Sequence, residues 1–231
     1  MSATDEMIAA PRTASINGEP GPLIPVKAIP PAKRALDVAL SGVGLLVSAP
    51  LWAGLAALIK LEDGGPVFFS QDRVGEGGQL FRAMKFRSMI PDAEARVGAL
   101  QATEHDPRVT RIGRLMRATA MDELPQLWNI FRGDMSFVGP RALRPGEIET
   151  GGSGEHVAME EIPGYAERHT VRPGLTGIAQ IFAPRDVPRR HKFKFDRIYV
   201  ARQSFALDLR LILLSFWITF RGKWESRGSK T

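Results

Sequence analysis

Two stretches of this chain are almost free of polar residues, one near each end. Residues 38–59 form an uncharged run of 22 residues, which is long enough to cross a bilayer as a helix rising about 1.5 Å per residue. Residues 207–220 are rich in Leu, Ile, Phe and Trp, but their uncharged part, 211–220, is too short to span. We therefore predict one membrane helix and one buried or interfacial helix.

Pro50 lies in the middle of the first run. Proline lacks a backbone donor and clashes with the preceding turn, so we expect the helix to kink or break there. Basic residues flank the run on both sides, which is typical of a hairpin that enters and leaves by the cytoplasmic face. These residues are Lys27, Lys33 and Arg34 before the run, and Lys60, Arg73, Arg82, Lys85 and Arg87 after it. The sequence favours a re-entrant segment over 32–61, and an ordinary spanning helix stays the alternative.

The chain between the two apolar stretches has a mixed pattern. Short apolar runs at 67–69 and 80–81 flank a Gly-rich turn at 75–78 and predict two strands. Four apolar residues recur at helical spacing and predict a helix that ends at Gly133. They are Leu124, Leu127, Trp128 and Phe131. We predict an α+β fold, in which a small mixed α/β globular domain follows the membrane segment.

The predicted organisation has four parts. Residues 1–31 hold six of the chain's 17 prolines and little apolar periodicity, so we interpret them as a disordered tail. The re-entrant helix follows at 32–61. We predict a globular domain on the cytoplasmic side at 62–224, with amphipathic membrane-interface helices, and a polar tail at 225–231.

Composition narrows the chemistry. The 231 residues include 31 Lys and Arg against 25 Asp and Glu, a net charge of +6 that favours anionic partners. The absence of cysteine excludes disulfides and thiolate catalysis. The four histidines are scattered without metal-binding spacing, so any metal is expected to be a hard cation on oxygen ligands.

The most informative short segment is Asp122-Glu123-Leu124-Pro125-Gln126. A positioned aspartate can attack phosphorus and form an acyl phosphate, and a neighbouring glutamate can hold Mg²⁺ on a diphosphate. The alternative is structural: Asp122 at the N-cap, with Pro125 in the first turn, would simply begin a helix. The residues alone leave both interpretations open.

Basic residues surround this segment in the sequence. Arg108, Arg111, Arg114 and Arg117 recur at every third position, and guanidinium groups of this kind can clamp a diphosphate. A solvated face, or one resting on anionic lipid, is the alternative. Lys85-Phe86-Arg87 fits a strand whose two cations face a phosphate.

Several segments together resemble the bacterial sugar transferase family, also called monotopic phosphoglycosyl transferases. The resemblance covers residues 33–223, and the short motifs match in order and spacing. The matching segments are 33–37, 65–69, 85–89, 106–113, 121–129, 133–141 and 172–180. Pro140-Arg141-Ala142 departs from the Pro-Arg-Pro that is common in the family.

The resemblance implies a function. Asp122 would attack the β-phosphorus of a UDP-sugar, release UMP and pass the phosphosugar to polyprenyl (undecaprenyl) phosphate, with Glu123 helping to coordinate Mg²⁺. Arg141 would contact the nucleotide, Pro50 would mark the membrane break, and Gln180 completes the last motif. Lys85, Arg87, Arg114 and Arg117 join Arg141 and Gln180 as candidate substrate-binding residues. The protein would then start exopolysaccharide or other surface glycan assembly at the cytoplasmic face of the bacterial inner membrane, in contact with membrane lipids.

Two other classes compete with this prediction. A membrane-anchored protein that binds nucleotides or phospholipids without catalysis would use Asp122-Glu123 only as a cap. A nucleic-acid binder is disfavoured by the uncharged 22-residue run and by the lack of interleaved aromatic and basic residues. The sequence leaves open which sugar is transferred and whether the chain forms a homodimer.

Overall fold

A computed structural model of the protein describes residues 12–13, 24–91, 93, 106–150, 156–184 and 187–221. The strands are β1 Arg12–Thr13, β2 Phe68–Val74, β3 Gln79–Phe86, β4 Ser136–Val138, β5 Ile148–Thr150, β6 His156–Ala158 and β7 Gly174–Thr176. The helices are α1 Pro31–Asp63, α2 Arg111–Ala118, α3 Gln126–Arg132, α4 Tyr165–Arg168, α5 Ile178–Phe182, α6 Arg189–Arg202 and α7 Phe205–Phe220. Single turns of 3-10 helix lie at Glu76–Gly78, Met121–Glu123 and Met159–Glu161. The predicted mixed α+β fold is confirmed.

The membrane segment is one continuous helix of 33 residues, α1. Pro31 opens it, where the missing N–H is harmless, and Gly64 ends it in the left-handed conformation with φ of 71°. Pro50 lies inside the helix, so helical structure continues past this residue. The kink expected at Pro50 stays a prediction. One proline removes a single backbone hydrogen bond, and long apolar helices tolerate that loss. Among the described residues, α1 is the one helix long and apolar enough to cross a membrane.

Both ends of α1 pack against the globular domain, while its middle is open. Lys33, Asp37 and Ser41 are buried near the start, and Leu55 and Ile59 near the end. Between them, Leu46 and Val47 are 78% and 75% exposed. The route of this helix through a bilayer stays a prediction.

The strands predicted on either side of the Gly-rich turn are confirmed. β2 and β3 pair antiparallel along their length, from Phe68 opposite Phe86 to Val74 opposite Leu80. The connecting turn needs glycine, since Gly77 and Gly78 have φ of 68° and 79°. β1 adds to the other edge of β3.

The largest apolar core joins α3, β4, α6 and α7. It includes Ile130, Phe137, Tyr199 and Leu211. α3 ends at Gly133 as predicted, with φ of 103° at that residue. The predicted apolar helix near the chain end is α7, and its exposed Leu213, Phe216 and Trp217 fit the expected position at a membrane interface.

Part of the predicted tail is ordered, which corrects its boundary. Residues 24–30 lie on the globular domain, where Ile24 N–H donates to Gly77 O at 3.4 Å and Lys27 N–H to Thr170 O at 2.7 Å. The predicted polar tail at 225–231 lies outside the described residues.

Candidate active site

The Asp122-Glu123 segment lies in a tight turn between α2 and α3. The chain enters this turn through Ala120, whose φ of 57° and ψ of 18° fall in the left-handed region. Ala120 is the only non-glycine with positive φ in the part of the chain that the structure describes. The conformation costs on the order of 1–2 kcal/mol for a residue with a Cβ, and strain of this kind is concentrated at functional sites.

Asp122 does not cap the helix that follows. α3 begins at Gln126 with Pro125 at the N-cap position, and no described side chain accepts a hydrogen bond at that end. Asp122 is instead buried and lines a cavity. Burial raises the pKa of Asp122, while the nearby charge of Lys85 opposes the shift. The structure therefore contradicts the capping alternative and places the carboxylate at a cavity wall.

Glu123 is held by cations. Its Oε1 accepts a hydrogen bond from Lys85 Nζ at 2.6 Å, and a guanidinium nitrogen of Arg141 lies 3.6 Å away. Burial alone would raise the pKa of Glu123, but the charges of Lys85, Arg141 and Arg73 outweigh it and lower the pKa to about 2. Glu123 is thus ionised at any physiological pH.

Six cations line the cavity that holds these two carboxylates, and four of them lie on β2, β3 and the loop after β4. Arg73 is on β2, Lys85 on β3, and Arg141 and Arg144 follow β4. Burial, together with the charges of Arg141 and Arg144, lowers the pKa of Arg73 to about 10. Since the carboxylates do not balance this positive charge, the cavity is suited to a ligand bearing phosphate groups.

Closely spaced backbone segments hold Arg141 in place. β4 and β7 run parallel, and Gly139 N–H donates to Thr176 O at 2.9 Å. A side chain at Gly139 would meet the backbone of Arg172, so glycine is required there. Gln180 Nε2 donates to Gly139 O at 3.3 Å. Gln180 also lines the cavity, so it both supports the loop that carries Arg141 and faces the ligand space.

The cavity has a volume of about 1250 Å³ and a mixed lining. Besides the charged residues, it is bordered by Leu40, Val43 and Val47 of α1 and by Ile212 and Phe216 of α7. Its volume exceeds the range of about 300–1,000 Å³ for sites that take a single small molecule. The cavity can therefore receive a polar ligand and an apolar chain together.

Three arginines that were predicted to bind phosphate, Arg87, Arg114 and Arg117, occupy different positions relative to the cavity. Arg87 lies at the cavity wall, but Asp63 Oδ2 and Pro66 O accept its hydrogen bonds, both at 2.6 Å. Arg114 is exposed on α2 and is not among the cavity residues. Arg117 does line the cavity and donates to Ser88 Oγ at 2.9 Å. Of the arginines at every third position, Arg117 is the one among the cavity residues, because three residues rotate a helix by about 300° and such positions drift around it. A clamp built from all four stays a prediction.

The acidic residues of the cavity fit a metal only in part. Asp122 and Glu123 are the acidic members of its lining. No group of three or more His, Cys, Asp or Glu comes together among the described residues. This donor set does not make a protein cage, but it fits Mg²⁺ held by one or two carboxylates and otherwise by phosphate and water.

Sequence reasoning missed two cavity residues, Arg73 and Arg144. Arg73 had a usable signal, because the pairing of Phe69 with Lys85 places positions 69, 71 and 73 on the same sheet face as Lys85. No sequence signal pointed to Arg144, because it lies in a loop, where no helix or strand period indicates which way a side chain faces.

Comparison with known proteins agrees with this geometry. The profile of the family described as bacterial sugar transferase matches residues 28–222. An undecaprenyl-phosphate glucose phosphotransferase of Komagataeibacter xylinus is 45% identical over 190 residues, which are 79% of this chain and 35% of the relative. The chain thus spans about a third of that protein's length.

Two further relatives are matched over most of their length. The exopolysaccharide production protein PSS of Rhizobium leguminosarum bv. phaseoli is 42% identical over 78% of this chain and 90% of its own. A UDP-glucose:undecaprenyl-phosphate glucose-1-phosphate transferase of Caulobacter vibrioides is 38% identical over 88% of this chain and 75% of its own.

Proposed function

The chain belongs to the bacterial sugar transferase family, and we propose that it transfers a sugar 1-phosphate from a UDP-sugar to undecaprenyl phosphate and releases UMP. The observation that carries the proposal is the buried Asp122 in a cavity lined by six cations. The names of the relatives, with undecaprenyl phosphate and UDP-glucose among them, support both substrates. The exopolysaccharide relative supports a role in starting surface glycan assembly.

The first half-reaction forms a covalent intermediate on Asp122. A carboxylate oxygen attacks the β-phosphorus of the UDP-sugar, the bond from that phosphorus to the bridging oxygen breaks, and the electron pair leaves with UMP. Burial of Asp122 supports this role, because a poorly solvated carboxylate is a stronger nucleophile than one in water.

The second half-reaction transfers the phosphosugar to the lipid and regenerates the free carboxylate of Asp122. A phosphate oxygen of the polyprenyl phosphate attacks the same phosphorus, the bond to Asp122 breaks, and the carboxylate returns to its starting state. Both substrates reach one phosphorus in turn, so a single cavity with charged and apolar walls suits the sequence of steps.

The cations beside Asp122 bind and orient the diphosphate. Lys85 and Arg141 are themselves held by Glu123, which keeps two positive charges fixed close to the nucleophile. Glu123 would help to hold Mg²⁺ on the diphosphate, and the ion would supply further charge neutralisation.

The membrane provides the acceptor. The exposed apolar residues at the middle of α1 and along α7 fit a lipid surface, and the same two helices contribute apolar residues to the cavity wall. We place the protein in the bacterial inner membrane with the globular domain on the cytoplasmic side, where nucleotide sugars are made. The contacts of both ends of α1 with one domain support a re-entrant segment.

The test is UMP release on mixing with a panel of UDP-sugars, with and without undecaprenyl phosphate. Wild-type protein should release about one UMP per chain without acceptor and gain the mass of one phosphosugar, and it should turn over when the lipid is added. Excess chelator should stop both reactions, and Mg²⁺ should restore them.

Asp122→Asn is the decisive variant, because it keeps the size of the side chain but removes its nucleophilicity. It should show no mass increment and at least about a 10³-fold loss of turnover, with an unchanged melting temperature. Nucleotide binding without UMP release by the wild type would favour the non-catalytic alternative. Full turnover by Asp122→Asn would show that the chemistry lies elsewhere.

A further inference from the structure

The carboxylate of Glu62, next to the end of α1, is bonded to the start of α2. Its Oε1 accepts a hydrogen bond from Arg111 N–H at 2.6 Å, and its Oε2 accepts one from Ile112 N–H at 3.1 Å. The hydroxyl of Thr110 accepts from Gly113 N–H at 2.9 Å. The first N–H groups of a helix have no partner within it, and here a residue of another element bonds two of them. α2 has no acidic residue in its own first turn, so Glu62 supplies the negative charge that a helix N-terminus favours.

The neighbouring Asp63 fixes the end of α1 to the end of β3. It accepts hydrogen bonds from the Arg87 guanidinium, at 2.6 Å for Oδ2, and from Gly65 N–H at 3.0 Å. Apolar contacts strengthen this junction, because Leu55 and Ile59 share a buried cluster with Phe86 of β3 and Met116 of α2. The C-terminal half of α1 is thus joined both to the strand that carries Lys85 and to α2.

α2 leads directly into the turn that carries Asp122. Ala120 N–H donates to Arg117 O at 3.3 Å, and Glu123 N–H donates to Ala120 O at 3.2 Å. Two residues, Thr119 and Ala120, separate the last residue of α2 from Met121. Met121 itself packs against the cluster beneath α2. Since so short a connection transmits any shift of α2, the position of α2 sets the position of Asp122.

We propose that Glu62 is a positioning residue for Asp122, acting through α2, so that the end of the membrane helix sets the place of the nucleophile. The inference rests on the proposed function. The cavity cations Arg73, Lys85 and Arg141 lie on β2, β3 and the loop after β4, outside α2. Arg117 lies on α2, and its Nε donates to Ser88 Oγ. Loss of Glu62 should therefore slow the attack by Asp122 and leave binding of the nucleotide sugar unchanged.

The experiment compares Glu62→Ala with wild type in detergent or nanodiscs. The variant should lose kcat by about 10- to 100-fold, the size of effect caused by displacing reacting groups by an ångström, with KM for the UDP-sugar within about twofold. Hydrogen exchange should quicken at residues 111–112 and 119–124. Glu161→Ala, which removes an exposed glutamate away from the cavity, is the matched control and should behave as wild type.

A second variant separates the link to α1 from helix capping. Glu62→Ala combined with Arg111→Glu places an acidic side chain in the first turn of α2, which restores the favourable charge but not the connection. The proposal expects kcat to stay low in this double variant. Should Glu62→Ala fail to fold, Glu62→Gln, which keeps one acceptor oxygen, should give an intermediate kcat.

Three outcomes would overturn the proposal. They are an unchanged kcat in Glu62→Ala, a rise in KM equal to the fall in kcat/KM, and recovery of kcat on adding Arg111→Glu. Failure of the wild type to transfer phosphosugar would count against the proposed function instead. The hydrogen-exchange comparison would still decide whether Glu62 ties α2 to α1.

Discussion

Asp122 and Glu123 are neighbours in the chain, but their pKa values are pushed in opposite directions. Burial raises the pKa of Asp122, whereas Lys85, Arg141 and Arg73 overcome burial and lower the pKa of Glu123 to about 2. Two carboxyl groups whose pKa values are shifted in opposite directions usually have different roles. Glu123 is suited to a permanent charge that holds cations, and Asp122 to the group whose ionisation controls the reaction.

The pH–rate profile of the enzyme should therefore have an acidic limb that is set by the ionisation of Asp122. The attacking carboxylate must be deprotonated, so kcat/KM should fall as the pH drops through the pKa of Asp122, which burial raises above its usual value. Lys85 lowers that pKa, and Lys85→Met should move the limb to higher pH in addition to reducing the rate. A pH–rate profile of wild type and variant measures both effects.

The control for this prediction is Lys194→Met, which removes an exposed lysine of α6 outside the cavity. Its profile should superpose on that of wild type. A limb that stays in place or moves to lower pH in Lys85→Met would show that Asp122 is not the titrating group.

At the residue scale, the sequence identified the parts of the site that lie in short motifs. Asp122, Glu123, Lys85 and Arg141 all line the cavity. Arg114 was predicted there and Arg73 was not, because membership of a cavity depends on which face of an element is turned inward. Spacing in the sequence determines that face only after the element and its pairing are known.

At the scale of elements, the basic residues in the first turn of α1 have a structural role that the charge pattern did not suggest. Lys33 is 4% exposed, and its Nζ donates to Asp208 Oδ2 at 2.8 Å and Val138 O at 3.0 Å. Arg34 donates to the carbonyls of Ile130 and Phe131, which end α3. These charges fasten α1 to α3, β4 and α7, so they are not free to contact lipid headgroups.

Lys33→Met should destabilise the protein strongly. It leaves the carboxylate of Asp208, which is 1% exposed, buried beside Tyr199 without its cation. Removal of one partner of a buried ion pair costs about 3–5 kcal/mol. We expect a clear fall in melting temperature in detergent, measured beside Lys194→Met, which should change stability by less than about 0.5 kcal/mol.

A second variant tests the cause of that loss. Lys33→Met combined with Asp208→Leu removes both charges and should recover a large part of the lost stability, because buried pairs replaced by apolar residues are often neutral. No recovery in the double variant, or a negligible effect of Lys33→Met alone, would contradict the role assigned to this pair.

Besides α1, four elements were predicted from the sequence: glycines border β2, β3 and α3, and α7 coincides with an apolar run. The continuity of α1 through Pro50 was not predictable. Local chemistry favours a break there, but tertiary contacts at Ser41 on one side and Leu55 on the other hold both halves. Contacts between distant segments are absent from local sequence patterns, and they decide such cases.

At the scale of the whole molecule, the contacts of α1 constrain how the protein meets a membrane. A helix that crossed the bilayer would place its two ends about 30 Å apart on opposite sides. Here the chain before α1 bonds to the globular domain through Lys27, whose Nζ donates to Val200 O at 2.9 Å. The chain after α1 enters β2 of the same domain. A spanning arrangement would have to break the buried contacts of Lys33 and Asp37.

We therefore expect both ends of α1 on the cytoplasmic side, and cysteine labelling tests this cleanly because the chain has no cysteine of its own. Ala28→Cys places an exposed thiol before α1, and Ala201→Cys places one on α6 of the globular domain. A membrane-impermeant maleimide should label neither in intact cells and both in inverted membrane vesicles. Leu46→Cys, in the exposed apolar middle of α1, should resist labelling in both because lipid covers it. If Ala28→Cys reacted in intact cells while Ala201→Cys did not, α1 would span the membrane, and the contacts that fasten its start to the domain could not exist in the inserted protein.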